Sequence, residues 1–296
     1  MDSFWIMLTG SLVAVTCGLL GCFLILRRMA MVGDAISHAV LPGIVIAFFI
    51  SGSRTSLPML VGAAAVGLLT TWLIEVFNKK ARLQKDASIG LTFTSLFAIG
   101  VILISAFGGN VDLDQDCVLY GEIAYVPLDL WITGSGISLG PAPVWILGLV
   151  FLLVVLMIVA GYKGLYLTTF DEQYAAALGI STAFWHYLLM SAVSLTTVVS
   201  FESVGAILVV ALLIAPAVTA YMLTDDFRKM LFISALAGIV SAVGGYYLAV
   251  SINGSIAGAM ATVAGFLFAL ALLFAPHRGI LYKYMQKPSG PATVPG

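Results

Sequence analysis

Charged side chains are scarce in this chain, since Asp, Glu, Lys and Arg make up only 9% of its 296 residues. An ordinary soluble domain carries about 25%. The hydrophobic share is 61%, so the few charges cannot cover a fold of this size with a polar surface unless lipid replaces water over most of it. The composition therefore argues against a soluble globule and predicts an integral membrane protein.

Cysteines and enzyme motifs are also scarce. The three cysteines, Cys17, Cys22 and Cys117, form an odd set with two members in the first apolar run, so no disulfide framework can be read from them. No phosphate-binding loop, nucleophile elbow or zinc-finger spacing occurs. If ATP drives the activity, another chain must bind it. The net charge of −1 favours neither nucleic acid nor an acidic partner.

Long apolar segments are abundant. A helix of about 20 apolar residues crosses the roughly 30 Å hydrocarbon core, and nine segments qualify, with eight to ten compatible with the pattern. They are residues 4–26, 29–50, 57–77, 87–107, 143–161, 185–199, 204–223, 230–250 and 256–274. The stretch 187–223 is too long for one helix, and we predict a tight hairpin at Phe201, Glu202 and Ser203. Asp2 without a basic neighbour lacks the n-region of a cleavable signal, so we expect a retained first helix.

Basic residues mark one side of these spans. They are Arg27 and Arg28 after the first span, Lys79, Lys80, Arg82 and Lys85 after the third, Lys163 after the fifth, Arg228 and Lys229 after the seventh, and Arg278, Lys283 and Lys287 after the ninth. Only Arg54 departs from this pattern. Because cytoplasmic loops retain Lys and Arg, we predict an N-terminus outside and a cytoplasmic C-terminus. We expect one transmembrane domain over residues 1–287 and a short cytoplasmic tail over 288–296.

The loop after the fourth span is acidic. It contains Asp112, Asp114, Asp116, Glu122 and Asp129, and no basic residue occurs between Lys85 and Lys163. An acidic outer mouth would concentrate cations or meet a basic docking face. A merely solvated loop is the alternative.

Asp34 and His38 lie four residues apart inside the second span, so a helix places them on one face. Ionisable residues at membrane depth usually face a cavity or each other and mark a substrate path. Their oxygen and nitrogen donors suit manganese, iron and zinc. In the alternative, Asp34 caps a helix start and His38 bonds a carbonyl. Pro42 and Gly43 follow, as expected where a span breaks beside a pathway, although inert spans tolerate them too.

Residues 170–180 (FDEQYAAALGI) form a short amphipathic segment between the fifth and sixth spans, with acids at its start and glycine near its end. This pattern predicts a short helix that docks on a cytoplasmic partner or rests on lipid. Glu202, near the outer face, could gate, bind or be solvated. His186 and His277 lie at span ends, where we interpret them as polar anchors rather than metal ligands.

Four segments together resemble the manganese, zinc and iron class of ATP-binding-cassette importer permeases. They are residues 31–43 (MVGDAISHAVLPG), 170–180, 204–216 (VGAILVVALLIAP) and 272–279 (LLFAPHRG), and the resemblance covers nearly the whole chain. Residues 114–122 (DQDCVLYGE) resemble the manganese and iron branch more than the zinc branch.

The resemblance implies an all-α importer fold in the bacterial inner membrane. It implies a homodimer or a dimer with a close paralogue, two cytoplasmic ATP-binding subunits and an extracytoplasmic solute-binding protein. By the same resemblance, residues 170–180 are the coupling helix, with Phe170, Asp171, Glu172, Ala176 and Gly179 facing the ATPase, while Asp34 and His38 line the path. The chain itself would be a transport subunit without a resident cofactor, with the metal ion as its substrate.

Other functions remain open at the level of sequence. A gradient-driven secondary transporter, with Asp34, His38 and Glu202 carrying protons, explains the intramembrane charges equally well but not the cytoplasmic amphipathic segment. A permease for metal chelates or vitamins would need a large polar cavity that the sequence does not indicate. An intramembrane enzyme lacks any recognisable nucleophile or metal-protease motif.

Overall fold

The computed structural model describes residues 2–51, 56–107, 123–132, 138–276 and 278–281. The α-helices in these ranges are α1 (Asp2–Leu26), α2 (Val32–Ala39), α3 (Leu41–Ser51), α4 (Ser56–Lys79), α5 (Lys85–Phe107), α6 (Ala142–Ala160), α7 (Tyr162–Phe170), α8 (Glu172–Ala177), α9 (Thr182–Val204), α10 (Ala206–Leu223), α11 (Phe227–Ile252) and α12 (Ile256–Phe274). A 3₁₀ helix (Ile123–Leu128) and two short strands, β1 (Leu130–Ile132) and β2 (Ser138–Pro141), precede α6.

Nine spans in the described part of the chain are long and apolar enough to cross a membrane. They are α1, the α2–α3 unit, α4, α5, α6, α9, α10, α11 and α12. The predicted all-α membrane fold and the count of nine are confirmed. The orientation of the termini and the domain boundary at residue 287 stay predictions.

The predicted hairpin between the sixth and seventh spans is displaced. Phe201, Glu202 and Ser203 belong to the last turn of α9, and the chain breaks at Gly205, which has φ 83° and ψ 154°. A residue with a Cβ rarely adopts this positive φ. The sequence prediction placed the break at the polar residue, whereas backbone geometry places it at the glycine.

Two helices form the centre of the bundle. In α1 and α9, 67% of the residues in the most apolar 18-residue stretch are buried, whereas in α6 and α12 only 22% are buried. Helix α1 packs against α6, α9, α10 and α11, while α9 also contacts α2 and α4. Helices α10, α11 and α12 pack together on one side, and α2, α3, α4 and α5 pack together on the other. This arrangement leaves the peripheral apolar faces to lipid.

The two ends of the bundle differ. At one end, β1 and β2 form an antiparallel hairpin with Leu130 opposite Pro141, and Gly140 packs on the indole of Trp5. The sequence analysis did not predict this hairpin. At the other end, which we call the Arg27 end, Lys85 Nζ donates to the Arg27 carbonyl at 3.2 Å. Helices α7 and α8 lie at this end.

Several residues singled out from the sequence lie outside the described ranges. They are Arg54, Asp112, Asp114, Asp116, Cys117, Glu122, His277, Lys283 and Lys287. Asp129 is described and exposed, and its carbonyl accepts from the Ala142 amide at 2.8 Å.

Candidate metal-binding and coupling sites

The second span is interrupted at a single residue, Val40, which keeps a helical backbone conformation with φ −72° and ψ −15°. Helix α2 ends at Ala39, Val40 is its C-cap, and α3 starts at Leu41. Pro42 has no N–H, so the carbonyl of His38 lacks the donor that a continuous helix would supply four residues later. The interruption thus lies beside Pro42, and the suggested pathway there stays a prediction.

Asp34 and His38 face each other on α2. The Oδ1 of Asp34 lies 3.7 Å from the Nε2 of His38, which is too long for a hydrogen bond. Their side chains are 31% and 41% exposed, respectively, whereas six of the eight α2 residues are buried. The pair therefore forms the one open patch of this helix.

Asp34 is not a helix cap. Helix α2 starts at Val32 with Met31 as its N-cap, which places Asp34 inside the first turn. Among the described residues its carboxylate meets only His38, while its carbonyl accepts a bond from the Ser37 hydroxyl. The structure therefore does not support the capping alternative.

Aromatic rings from α5 flank His38. The ring centroids of Phe93 and Phe97 lie 5.9 and 6.0 Å from that of the imidazole. The imidazole therefore lies beside apolar rings of α5, while 41% of the His38 side chain remains exposed.

Pro42 and Gly43 lie in the first turn of α3 and are both buried. A Cβ on Gly43 would overlap the carbonyl of Gly62 in α4, and Gly100 of α5 packs against Leu41 and Pro42. Gly43 thus permits a close approach of α3 and α4. Its environment is helix packing, and its suggested part in a path stays a prediction.

The Asp34–His38 pair supplies only two ligands. In the described part of the chain no three His, Cys, Asp or Glu side chains come together in a way that would hold a metal ion. Ligands of one metal with bonds of roughly 2.0–2.2 Å lie about 3.0–3.5 Å apart, close to the 3.7 Å found here. The separation is thus compatible with two ligands of one metal ion, and metal binding by the pair stays a prediction.

Residues 170–180 contain a helix with both ends capped. Asp171 Oδ1 accepts from the Tyr174 amide at 2.8 Å, which makes Asp171 the N-cap of α8. At the other end Gly179 has φ 76°. Its amide bonds the Ala176 carbonyl at 3.0 Å, and the Ile180 amide bonds that of Ala175 at 3.0 Å. These two bonds form a Schellman motif.

This segment is exposed apart from Ala175 and Ile180. Phe170, Tyr174 and Leu178 are each more than half exposed. Tyr166 and Phe170 pack against Phe227 at the start of α11, with ring centroids 5.8 Å from it in both cases. A short capped helix with exposed apolar side chains on a firm aromatic base suits docking to a partner.

Glu202 is exposed in the last turn of α9. It lies at the end of that helix opposite the Arg27 end, and the structure does not bring it near Asp34 and His38. Its suggested role as a gate stays a prediction.

A polar cluster at the Arg27 end was not predicted from the sequence. Glu75 is 9% exposed, its Oε1 lies 2.5 Å from Lys79 Nζ, and its Oε2 lies 3.9 Å from His186 Nε2. That Oε2 makes no hydrogen bond within the described residues. The signal was available, because Glu75 is the only acid in its apolar span.

Arg27 joins this cluster from the turn after α1. Its guanidinium contacts Thr168, Thr169 and His186. Burial lowers the pKa of Arg27 to about 10, and the Glu172 carboxylate partly offsets this shift. The guanidinium therefore stays charged at neutral pH. A cavity of about 350 Å³ lies beside these residues.

Comparison with known proteins assigns the fold to a family. The profile of the ABC 3 transport family matches residues 3–275. The manganese transport system membrane protein MntD of Bacillus subtilis is 51% identical, over 95% of both chains. The zinc transport system membrane protein TroD of Treponema pallidum is 43% identical, over 93% of this chain and 75% of its own.

A solved structure agrees with these relatives. PsaBC from Streptococcus pneumoniae, in complex with Fab, contains a chain that superposes with a TM-score of 0.76 and is 33% identical, covering 95% of this chain and 94% of its own. A family profile that spans nearly the whole chain, and relatives well above 30% identity, agree with the nine-span bundle. The chain is a multi-pass membrane protein that belongs to the ABC 3 transport family.

Proposed function

We propose that this chain is the permease subunit of an ATP-driven importer that moves divalent transition-metal ions, manganese foremost, into the bacterial cytoplasm. The observation that carries the proposal is the half-exposed Asp34–His38 pair on the interrupted second span, in a chain that belongs to this family. The manganese systems among its relatives favour manganese, and the zinc system makes zinc the second candidate.

The donor set fits these metals. A carboxylate oxygen and an imidazole nitrogen suit manganese, iron and zinc, whereas magnesium and calcium prefer oxygen alone. Two ligands per chain are too few for a firm site. A second permease related by a two-fold axis would add its own pair and complete a set of two nitrogens and two oxygens. Such a site holds the ion firmly enough to accept it and loosely enough to release it.

The other subunits of the proposed importer are separate chains. An extracytoplasmic binding protein delivers the ion, and two cytoplasmic subunits bind and hydrolyse ATP. Segment 170–180, with Phe170, Asp171, Glu172, Ala176 and Gly179, docks on the ATPase. Its two caps and its exposed apolar side chains support this role. Closure driven by ATP would then open the path below Asp34 and His38 toward the cytoplasm.

Uptake of radioactive manganese tests this function in a strain that lacks its own manganese importers and expresses the permease with its ATPase and binding protein. Asp34→Asn and His38→Gln keep the side-chain size but remove the charge or the ring nitrogen. Each is expected to abolish uptake while the permease still copurifies with the ATPase. In a homodimer each change removes two of four ligands.

Asp86→Asn is the matched control, because Asp86 is an exposed carboxylate at the start of α5, and it should leave uptake unchanged. Competition by zinc and iron ranks the metals. Normal uptake in Asp34→Asn with an unchanged metal preference would contradict the assignment of Asp34 as a metal ligand. Uptake that continues without ATP would contradict the ATP-driven mechanism.

A further inference from the structure

The guanidinium N–H groups of Arg27 donate hydrogen bonds to the last turn of α7. Its Nε donates to Thr169 Oγ1 at 3.1 Å, and its Nη2 donates to Thr168 Oγ1 at 2.9 Å. Both hydroxyls donate their own hydrogens to α7 carbonyls, at 2.8 Å for Thr168 to Gly164 and 2.6 Å for Thr169 to Leu165. The two threonine oxygens are thus held as acceptors that face the guanidinium.

A third contact connects Arg27 with α9. Its Nη1 lies 3.4 Å from His186 Nδ1. Because guanidinium only donates, this contact is a hydrogen bond in the His186 tautomer that carries its hydrogen on Nε2. One side chain thereby contacts both α7 and α9.

Arg27 is also close to two proposed functional segments, one through its side chain and one through its backbone. Its side chain contacts Thr169, which is followed by Phe170, the last residue of α7, and by Asp171, the N-cap of α8. Its backbone leads within five residues to Val32, where α2 begins, and α2 carries Asp34 and His38.

The turn between Arg27 and α2 is held by backbone hydrogen bonds. Backbone bonds join Met29 to Leu24 at 2.8 Å, Arg28 to Ile25 at 3.0 Å and Val32 to Met29 at 3.1 Å, and Met29 and Val32 are buried. The turn that carries Arg27 is therefore joined to the end of α1 and, through the Val32–Met29 bond, to the start of α2.

We propose that Arg27 is the positioning residue that transmits movement of the coupling segment to the Asp34–His38 pair. The inference rests on the proposed function, because it presupposes an ATPase that moves residues 170–180. Arg27 neither binds the ion nor touches the ATPase in this scheme. It couples ATP hydrolysis to metal import by linking the end of α7 to the start of α2.

The test uses the complete complex of permease, ATPase and binding protein in proteoliposomes. The readouts are manganese binding without ATP, basal ATP hydrolysis, and manganese ions imported per ATP hydrolysed. Arg27→Gln is expected to lower the import per ATP at least about tenfold, the factor that corresponds to the loss of one hydrogen bond to a charged group. Manganese binding and basal hydrolysis should stay within about twofold of the unmodified protein.

Three further variants sharpen the test. Thr168→Val with Thr169→Val keeps shape and Arg27 but removes both acceptors, so it should reproduce the effect and add little to Arg27→Gln. This pair also carries the test if Arg27→Gln fails to assemble. Arg27→Lys keeps the charge without the fork and should recover only part of the coupling. Arg28→Gln is the control, since the Arg28 side chain is exposed and makes no hydrogen bond or ion pair among the described residues.

The outcomes separate the two proposals. Import per ATP that is unchanged in both Arg27→Gln and the double threonine variant would overturn the link while leaving the importer intact. A parallel loss of manganese binding would do the same, because Arg27 would then only support the metal site. An unmodified complex that imports no manganese or zinc with ATP would overturn the proposed function and the link together.

Discussion

Gly33 lies against Leu213 so closely that a Cβ at position 33 would overlap the Cδ2 of that leucine. Leu213 is 1% exposed, so its side chain has little room to move aside. The contact holds α2 against α10 at the residue that precedes Asp34. The position of one proposed ligand is therefore set by a packing contact with the seventh span.

Gly33→Ala should lower manganese uptake about tenfold, since overpacking a core costs roughly 1–3 kcal/mol and would displace α2 from α10. Leu213→Val removes the overlapping δ carbons, and the double variant should recover most of the uptake. The uptake assay described above measures both. Full uptake in Gly33→Ala alone would show that α2 tolerates the shift.

Phe93 and Phe97 are expected to hold the His38 ring in its binding rotamer. Phe93→Ala or Phe97→Ala should raise the manganese Kd about threefold to tenfold, because an aromatic contact is worth roughly 0.5–1.5 kcal/mol beyond its buried area. Calorimetric titration of the purified complex measures this change. Phe232→Ala, at a position 71% exposed on α11, is the control. An equal effect at Phe232 would mean that the loss is not local to His38.

Lys79→Ala should lower the melting temperature of the purified permease, since it leaves the Glu75 carboxylate, which is 9% exposed, without its ion-pair partner. Leaving a fully buried charge unpaired costs about 3–5 kcal/mol, and the 59% exposure of the Lys79 side chain places this loss below that range. Adding Glu75→Gln to Lys79→Ala removes the unpaired charge and should recover most of the loss. Thermal unfolding in detergent compares the two variants. A Lys79→Ala variant that melts like the unmodified permease would contradict a stabilising role for this ion pair.

Gly179→Ala should weaken the association with the ATPase while leaving manganese binding intact. An alanine at φ 76° is strained by roughly 1–2 kcal/mol, and the strain falls on the Schellman turn that ends α8. Copurification yield and manganese titration measure the two properties. Gly90→Ala is the matched control, because a Cβ there meets nothing within 4 Å. An unchanged copurification yield in Gly179→Ala would place the ATPase contact elsewhere on this end.

Local chemistry made several features readable from the sequence. Nine apolar runs predicted nine spans, because each run must satisfy its backbone bonds within one helix. The i and i+4 spacing of Asp34 and His38 predicted a shared helix face, and the structure places their side chains 3.7 Å apart. The acids and glycine of residues 170–180 predicted a short helix, and the structure shows that helix with Asp171 as its N-cap and Gly179 in the turn that ends it.

Turns whose position depends on backbone geometry rather than on residue polarity were predicted less accurately from the sequence. The hairpin predicted at Glu202 is at Gly205, since the positive φ there suits glycine alone. The short β1–β2 hairpin escaped notice because strands of three and four residues carry almost no periodic signal.

The sequence by itself determined the membrane class, the number of spans and the pairing of Asp34 with His38, because these depend on hydropathy and on spacing within one helix. Only the tertiary structure decided that Phe93 and Phe97 flank His38, that Glu75 meets His186, and that Arg27 reaches Thr168 and Thr169. The last contact joins residues 141 positions apart. Such contacts depend on how separate helices pack, and no local pattern along the chain encodes which side chains that packing brings together.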